Sequence, residues 1–196
     1  MQLTTNEIIE IVAVALSLVY LYFLIKENIL CWVFGILASS VSIYLFYQTG
    51  LYAESLLYTY YVLIGFYGYY VWNKANSATN PSAPEAELKI STLSFIQHIK
   101  WLSVGTIFGF LLGFLLTEYT DSTSPYLEAF TASFSFVASF LEVKKYINAW
   151  TFWMVINLLT LIVYMTKDLH VYSGLQVVYF VFSIVGYIQW RKKLIV

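Results

Sequence analysis

The chain has 196 residues and carries little charge, because hydrophobic residues make up 60% of it and charged residues only 11%. A soluble domain needs about 25% charged residues to face water on most sides, so this composition excludes an ordinary soluble globule and predicts a membrane protein. The net charge of −1 excludes the strongly basic surface that nucleic-acid binding requires. The single cysteine, Cys31, excludes a disulfide framework within one chain.

Three apolar stretches fill the first part of the chain and predict three membrane spans, Ile8–Ile25, Leu30–Tyr47 and Ala53–Trp72. Each is close to the roughly 17 to 25 residues that a helix needs to cross a bilayer. The N-terminal sequence MQLTTNEIIE lacks the positive segment of a cleavable signal peptide, so the first stretch is expected to remain as a span. We assign residues 1–74 to a first three-helix repeat.

A polar connection follows, and then a fourth span. Residues 75–100, which include the sequence NPSAPEAE, predict a cytoplasmic linker, and residues 101–117 predict a linker helix. Gly105, Gly109 and Gly113 recur at every fourth residue of that helix, where small side chains let two helix backbones approach closely. The stripe indicates packing against a neighbouring helix, with an oligomer contact as the alternative.

Three further apolar stretches predict the last spans, Tyr126–Leu141, Ala149–Thr166 and Tyr172–Trp190. The fifth span is the weakest of these predictions, because its sequence TASFSFVASF is only mildly apolar. We assign residues 118–193 to a second three-helix repeat. The sequence therefore predicts an all-α membrane protein with seven transmembrane helices.

The basic residues predict the orientation of these spans. If the N-terminus is outside, nine of the ten basic residues lie on the cytoplasmic side, namely Lys26, Lys74, Lys89, Lys100, Lys144, Lys145, Arg191, Lys192 and Lys193. Only Lys167 then lies outside. Cytoplasmic loops of membrane proteins carry an excess of Lys and Arg, and an even number of spans would break this alternation. The pattern favours seven spans with a cytoplasmic C-terminus.

The two halves of the chain resemble each other when one is shifted by 118 positions. Identical pairs at this shift include Trp32/Trp150, Tyr61/Tyr179, Gly68/Gly186 and Trp72/Trp190. Three spans are an odd number, so a duplicated unit would be upside down unless the fourth span restores its orientation. We expect a 3+1+3 arrangement of parallel repeats, a design whose substrate site lies between the halves.

Sequence signatures of enzymes are missing. The chain has no GxxxxGK[ST], HExxH or CxxC motif, which predicts a protein that is not an enzyme and needs no metal or other cofactor. His98 and His170 lie in or beside loops and are expected to be solvated. Acidic residues lie in loops or near span ends, whereas proton-driven carriers keep carboxylates at membrane depth. This favours a facilitator over a pump.

Polar and aromatic side chains in the last two spans form the candidate site. Trp150, Trp153 and Asn157 follow one helix face at positions i, i+3 and i+7, and Gln176 and Tyr179 lie three residues apart in span seven. An amide in hydrocarbon is costly without a partner, so the two amides indicate either interhelical hydrogen bonds or a polar ligand. Two indoles beside them favour a flat, polar, cationic ligand.

The matching positions of the first half are less polar, which predicts an asymmetric site. Asn157 aligns with Ser39 and Gln176 with Tyr58. We expect the second half to supply most of the specificity. Trp32, Ser39 and Tyr61 are predicted to complete the cavity.

Several segments carry a resemblance to a known family. They are WVFG at 32–35, LYAESLL at 51–57, WTFWMVIN at 150–157 and LQVVY at 175–179. With the intervening sequence, from about Glu7 to Lys193, the chain resembles the PnuC-type vitamin transporters. It departs from the pattern at Asn148, where many members have Glu, and at Tyr58, where a Leu-Gln pair is common.

The resemblance implies a bacterial inner-membrane carrier for nicotinamide riboside with a SWEET-like fold. It implies facilitated diffusion between two rocking three-helix units, with trapping of the nucleoside by a cytoplasmic kinase. In this interpretation Trp150 and Trp153 frame the aromatic base, Asn157 and Gln176 bond the ribose or the amide, and tyrosines line the path. A thiamine carrier of the same family is the nearest alternative, and another vitamin or nucleoside carrier is the next. A sugar carrier, and a receptor or assembly factor that transports nothing, are more distant alternatives.

Overall fold

The computed structural model describes residues 5–48, 52–77, 88–122, 124–166 and 170–194, and these ranges form seven α-helices. The helices are α1 Thr5–Ile25, α2 Leu30–Gln48, α3 Tyr52–Ser77, α4 Phe95–Tyr119, α5 Pro125–Val143, α6 Asn148–Thr166 and α7 His170–Leu194. The predicted all-helical class is confirmed. Residues 78–87 of the predicted linker and Lys167 of the predicted outside loop lie outside the described residues.

Four of the described helices are both long and apolar enough to cross a membrane. The segments that meet this requirement are Ile8–Ile25, Leu30–Gln48, Phe95–Tyr119 and Ser173–Leu194, and α6 contains a shorter apolar segment. Large apolar side chains also lie on the outer surface of these helices, among them Ile107 and Phe110. An apolar exterior of this extent is suited to lipid and not to water.

The chain divides into two compact units, which we call the first unit (residues 1–88) and the second unit (residues 89–196). In the first unit α2 packs against both α1 and α3. In the second unit α4 packs against α5, α5 against α6, and α6 against α7. Helices that follow each other along the chain are therefore neighbours in each unit.

The α1–α2 turn and the α5–α6 turn have the same backbone conformation. Glu27 and Lys145, which are 118 positions apart, both adopt left-handed dihedrals, with φ of 56° and 53°. The Glu27 amide donates to the carbonyl of Leu24 at 2.9 Å, and the Lys145 amide donates to that of Glu142 at 3.0 Å. Left-handed geometry costs a non-glycine residue about 1–2 kcal/mol, so its recurrence at this shift reflects a shared turn design.

Each unit also contains a pair of tryptophans in edge-to-face contact. The rings of Trp32 and Trp72 have centroids 5.4 Å apart and planes at 89°. The rings of Trp150 and Trp190 have the same separation and the same angle. Aromatic pairs prefer this geometry because the positive ring edge meets the negative face. The first pair joins the start of α2 to the last part of α3, and the second joins the start of α6 to the last part of α7.

A glycine lies against the first tryptophan of each pair. A Cβ atom on Gly68 would stand 2.5 Å from the indole ring of Trp32, and a Cβ atom on Gly186 would stand 2.6 Å from that of Trp150. No larger residue fits either position without displacing the ring. The glycine and tryptophan identities of the two halves therefore belong to one recurring helix contact.

The glycine stripe of α4 is filled by aromatic rings of α5. The contacts pair Gly105 with Phe134, Gly109 with Phe130 and Gly113 with Tyr126. The hydroxyl of Ser133 donates to the Gly105 carbonyl at 2.8 Å, which joins the two helices by a buried hydrogen bond. The stripe thus packs α4 against α5, which is the first of the two roles that the sequence predicts.

The fourth helix begins at Phe95, six residues before the predicted span. Its start is fixed by a capping box, in which the Ser94 side chain accepts from the Gln97 amide and the Gln97 side chain accepts from the Ser94 amide. The hydropathy pattern begins only at Trp101 because the first turns of α4 are polar on one side.

The segment before α4 is attached to the α5–α6 turn, and we call this attachment the linker clasp. The amide of Ser91 donates to the Lys145 carbonyl at 3.1 Å. The Asn148 side-chain oxygen accepts from the Leu93 amide at 2.8 Å, and its nitrogen lies 3.0 Å from Nε2 of His98. His98 is therefore held by a side-chain partner, and the prediction of an isolated solvated histidine is wrong for it.

Candidate substrate-binding site

The predicted face of α6 divides into a packed part and a half-buried part. Trp150 is only 1% exposed, because its ring is covered by Gly186 and Trp190 of α7. Its Nε1 has no hydrogen-bond partner among the described residues. Trp153, one turn further along α6, is half-buried. The two indoles therefore occupy different environments within the same unit.

The indole of Trp153 is bonded to a buried carboxylate. Its Nε1 donates to Oε2 of Glu142 at 2.8 Å. Glu142 lies one residue before the end of α5 and is 2% exposed. This bond fixes the direction in which the indole ring extends from α6.

The amide of Asn157 links α6 to α7. Its Nδ2 donates to the hydroxyl of Ser183 at 3.1 Å, and that hydroxyl donates to the carbonyl of Tyr179 at 2.8 Å. Asn157 is buried, which agrees with the expectation that a membrane-depth amide finds a partner. An amide side chain has two donor hydrogens and two acceptor lone pairs, so one bond to Ser183 does not exhaust its capacity to bind a polar ligand.

The second predicted amide, Gln176, lies on α7, at a different level from the Asn157–Ser183 hydrogen bond. It is 8% exposed and belongs to the same buried face as Ser183, seven residues further on. Seven residues of helix correspond to about 10.5 Å, so Gln176 lies about two turns from the hydroxyl that Asn157 contacts. Tyr179, between them, is half-buried.

The predicted residues of the first unit are partly or fully buried within it. Trp32 is covered by Gly68 and by Trp72. Ser39 of α2 is buried. Tyr61 of α3 is half-buried and meets Tyr58 edge-to-face, with ring centroids 5.4 Å apart. Of these three side chains, Tyr61 is the one with an accessible aromatic surface.

Sequence reasoning missed Glu142. Because Glu142 lies near a span end, its sequence position groups it with the loop carboxylates. In the structure it is among the most buried polar residues described. The repeat contains the signal that identifies it. At the shift of 118 positions Glu142 aligns with Leu24, which is fully buried, so a carboxylate replaces a core residue at that point.

The family of the chain follows from its match to a family model. Residues 7–192 match the model described as Nicotinamide mononucleotide transporter. The chain belongs to this family of membrane transporters. Its members include the PnuC-type carriers, so the predicted family is confirmed, and with it a multi-pass membrane protein whose function is transport.

Curated relatives named nicotinamide riboside transporter PnuC match the chain. The protein from Neisseria mucosa is 28% identical over 190 residues, which cover 92% of this chain and 71% of the relative. The protein from Escherichia coli K12 is 25% identical over 171 residues, which cover 75% of this chain and 70% of the relative. A solved structure titled as the vitamin B3 transporter PnuC is similar with a TM-score of 0.75 and 25% identity, over 92% of this chain and 79% of that one.

Proposed function

We propose that the protein carries nicotinamide riboside across the bacterial inner membrane by facilitated diffusion. Membership of the transporter family and the names of two relatives support this substrate. The observation that carries the proposal from this chain is the Trp153–Glu142 bond, which presents a half-buried indole beside the amide of Asn157. Nicotinamide riboside combines a flat cationic ring with a polar sugar, and this pair of side chains suits both parts.

The binding roles are divided among α6 and α7. The ring of Trp153 stacks on the pyridinium ring, and Asn157 bonds the ribose or the carboxamide. Gln176 and Tyr179 line the path further along α7. Trp150 supports the site through its packing and does not stack on the ligand, because its ring is occupied by contacts with α7. The predicted roles of Trp32, Ser39 and Tyr61, which lie in the first unit, stay predictions.

The architecture we propose is 3+1+3, with α1–α3 and α5–α7 as SWEET-like parallel repeats and α4 as the connecting helix. The recurrence of the left-handed turn residues and of the tryptophan pairs at a shift of 118 positions supports it. The proposed topology places the N-terminus outside and the C-terminus in the cytoplasm. A cytoplasmic kinase that phosphorylates the nucleoside would then trap it and set the direction of net flux.

Uptake by purified protein in lipid vesicles tests the substrate. Vesicles that contain the protein should take up labelled nicotinamide riboside, and excess unlabelled thiamine or ribose should compete poorly. Trp153→Ala and Asn157→Ala should each raise KM. Val155→Ala, on the exposed side of the same helix, is the matched control and should leave KM unchanged.

Three results of this experiment would reject the proposal. Stronger competition by thiamine would make the protein a thiamine carrier of the same family. Competition by free ribose or glucose would indicate a sugar carrier. Vesicles with correctly inserted protein that take up none of these compounds would favour a receptor or assembly role.

A further inference from the structure

Burial of the Glu142 carboxylate costs the second unit free energy. Removing a carboxylate from water costs several kcal/mol unless charges or hydrogen bonds compensate for it. One compensating bond comes from the indole of Trp153 at 2.8 Å. A group of this kind is retained where it serves the fold or where it serves the site.

The matching turn of the first unit forms without such a carboxylate. Ala138 and Glu142 lie one turn apart on α5, and Glu142 accepts a hydrogen bond from Trp153. At the shift of 118 positions these three residues correspond to Tyr20, Leu24 and Gly35. In the first unit Leu24 is fully buried, and the ring of Tyr20 lies 3.0 Å from where a Cβ atom on Gly35 would stand. An entirely different set of side chains therefore fills the same region of the same turn design.

These three differences together change which helix supplies the large aromatic ring. In the first unit a tyrosine from the first helix covers the middle helix. In the second unit Ala138 of α5 is small and fully buried, and the larger ring is that of Trp153, which belongs to α6 itself. Glu142 takes the place of the buried leucine and accepts the N–H of that ring.

We propose that Glu142 is a positioning residue that holds the Trp153 indole in place to receive a flat cationic ring. The inference rests on the proposed function. The carboxylate uses the one N–H group of the indole, so the ring offers the ligand its π face and not a hydrogen bond. Binding a flat cation through that face requires a fixed ring orientation, and the bond to Glu142 supplies it.

Two substitutions of Glu142 separate the bond from other effects. Glu142→Leu places at this position the apolar residue that the first unit has there, and it removes the acceptor of the Trp153 indole N–H. Loss of this buried hydrogen bond should raise the KM for nicotinamide riboside about tenfold, with little change in the maximal rate. Glu142→Gln keeps an acceptor oxygen at the same reach and should stay within about threefold of the parent KM. Glu118→Leu, an exposed carboxylate at the end of α4, is the matched control.

A second background tests whether Glu142 acts through Trp153. In Trp153→Phe protein the indole N–H is absent, so adding Glu142→Leu should change KM by less than about twofold. Chromatographic monodispersity and thermal unfolding of each variant in detergent show that the protein is folded. Variants with parent-like unfolding temperatures provide the comparison.

The outcomes distinguish this inference from the proposed function. If the parent protein fails to transport nicotinamide riboside, the proposed function is wrong. If the parent protein transports it and Glu142→Leu has an unchanged KM, or has its full effect in the Trp153→Phe background, the positioning role is wrong. If Glu142→Gln is as harmful as Glu142→Leu, the charge itself is required, and this too overturns the assignment.

Discussion

Gly186 lies so close to Trp150 that a Cβ atom placed on it would stand 2.6 Å from three carbons of the indole ring. Separations below about 3.0 Å are essentially absent for real Cβ atoms. The contact therefore requires glycine, and it brings the end of α7 against the start of α6. Gly68 and Trp32 form the matching contact in the first unit.

Substitution of this glycine should destabilise the protein. Gly186→Ala forces the Trp150 ring to move, and overpacking of this kind typically costs about 1–3 kcal/mol. Gly68→Ala should have a similar effect. Gly174→Ala is the matched control, since its Cβ atom would meet nothing within 4 Å and alanine favours the helix by up to about 1 kcal/mol. Thermal unfolding in detergent measures the change, and equal unfolding temperatures for Gly186→Ala and Gly174→Ala would refute the prediction.

The contact between α4 and α5 should show coupling between its two sides. Gly109→Ala inserts a methyl group 2.7 Å from the ring of Phe130, so it should lower the unfolding temperature. In a Phe130→Ala background that ring is gone, and the penalty should shrink by about 1 kcal/mol. Leu111→Ala, on an exposed part of α4, should be additive with Phe130→Ala. If Gly109→Ala is additive with Phe130→Ala, the alanine methyl group and the Phe130 ring do not meet.

The repeat and the glycine stripe could be predicted from the sequence because each depends on residue identity at a fixed spacing. Gly186 and Trp150 match Gly68 and Trp32 letter for letter, and a stripe of glycines has few roles other than close packing. The burial of Trp150 against α7 could not be predicted in this way. An indole at i and another at i+3 share a helix face, but the sequence does not say which of the two the next helix covers.

The linker clasp should control the local opening of the start of α4. Asn148→Leu removes the acceptor of the Leu93 amide and the partner of His98. Loss of a hydrogen bond worth about 0.5–1.5 kcal/mol should speed hydrogen exchange of the Leu93 amide about two- to tenfold. Ser40→Ala, which deletes an exposed side-chain bond in the first unit, is the control. Unchanged exchange at Leu93 would contradict the role of the clasp.

Such a clasp leaves little trace in the sequence. Its bonds between Ser91 and the α5–α6 turn are made by backbone groups, which every residue carries. The sequence contains the Ser-x-x-Gln spacing of a capping box at Ser94 and Gln97, but the predicted span begins at the first long apolar run because it was placed by hydropathy alone. The carboxylate of Glu142 was overlooked for a related reason, because hydropathy averages treat a helix end as loop whether or not its side chain is buried.

The proposed orientation can be tested with single cysteines. Cys31 is buried, and Cys31→Ala provides a cysteine-free background. In that background Asp121→Cys should react with a membrane-impermeant maleimide added to intact cells, because its loop is predicted to lie outside. Lys89→Cys should react only after the membrane is permeabilised. The opposite pattern would invert the proposed topology.

The most direct test of the central claim is the time course of labelled nicotinamide riboside in protein-containing vesicles, with and without proton and sodium gradients. A facilitator without a coupled ion should bring the internal concentration up to the external one, and no further, at a rate that the gradients do not alter. It should also exchange labelled for unlabelled substrate across the membrane at equilibrium. Accumulation above the external concentration driven by either gradient, or no uptake by correctly inserted protein, would contradict the account.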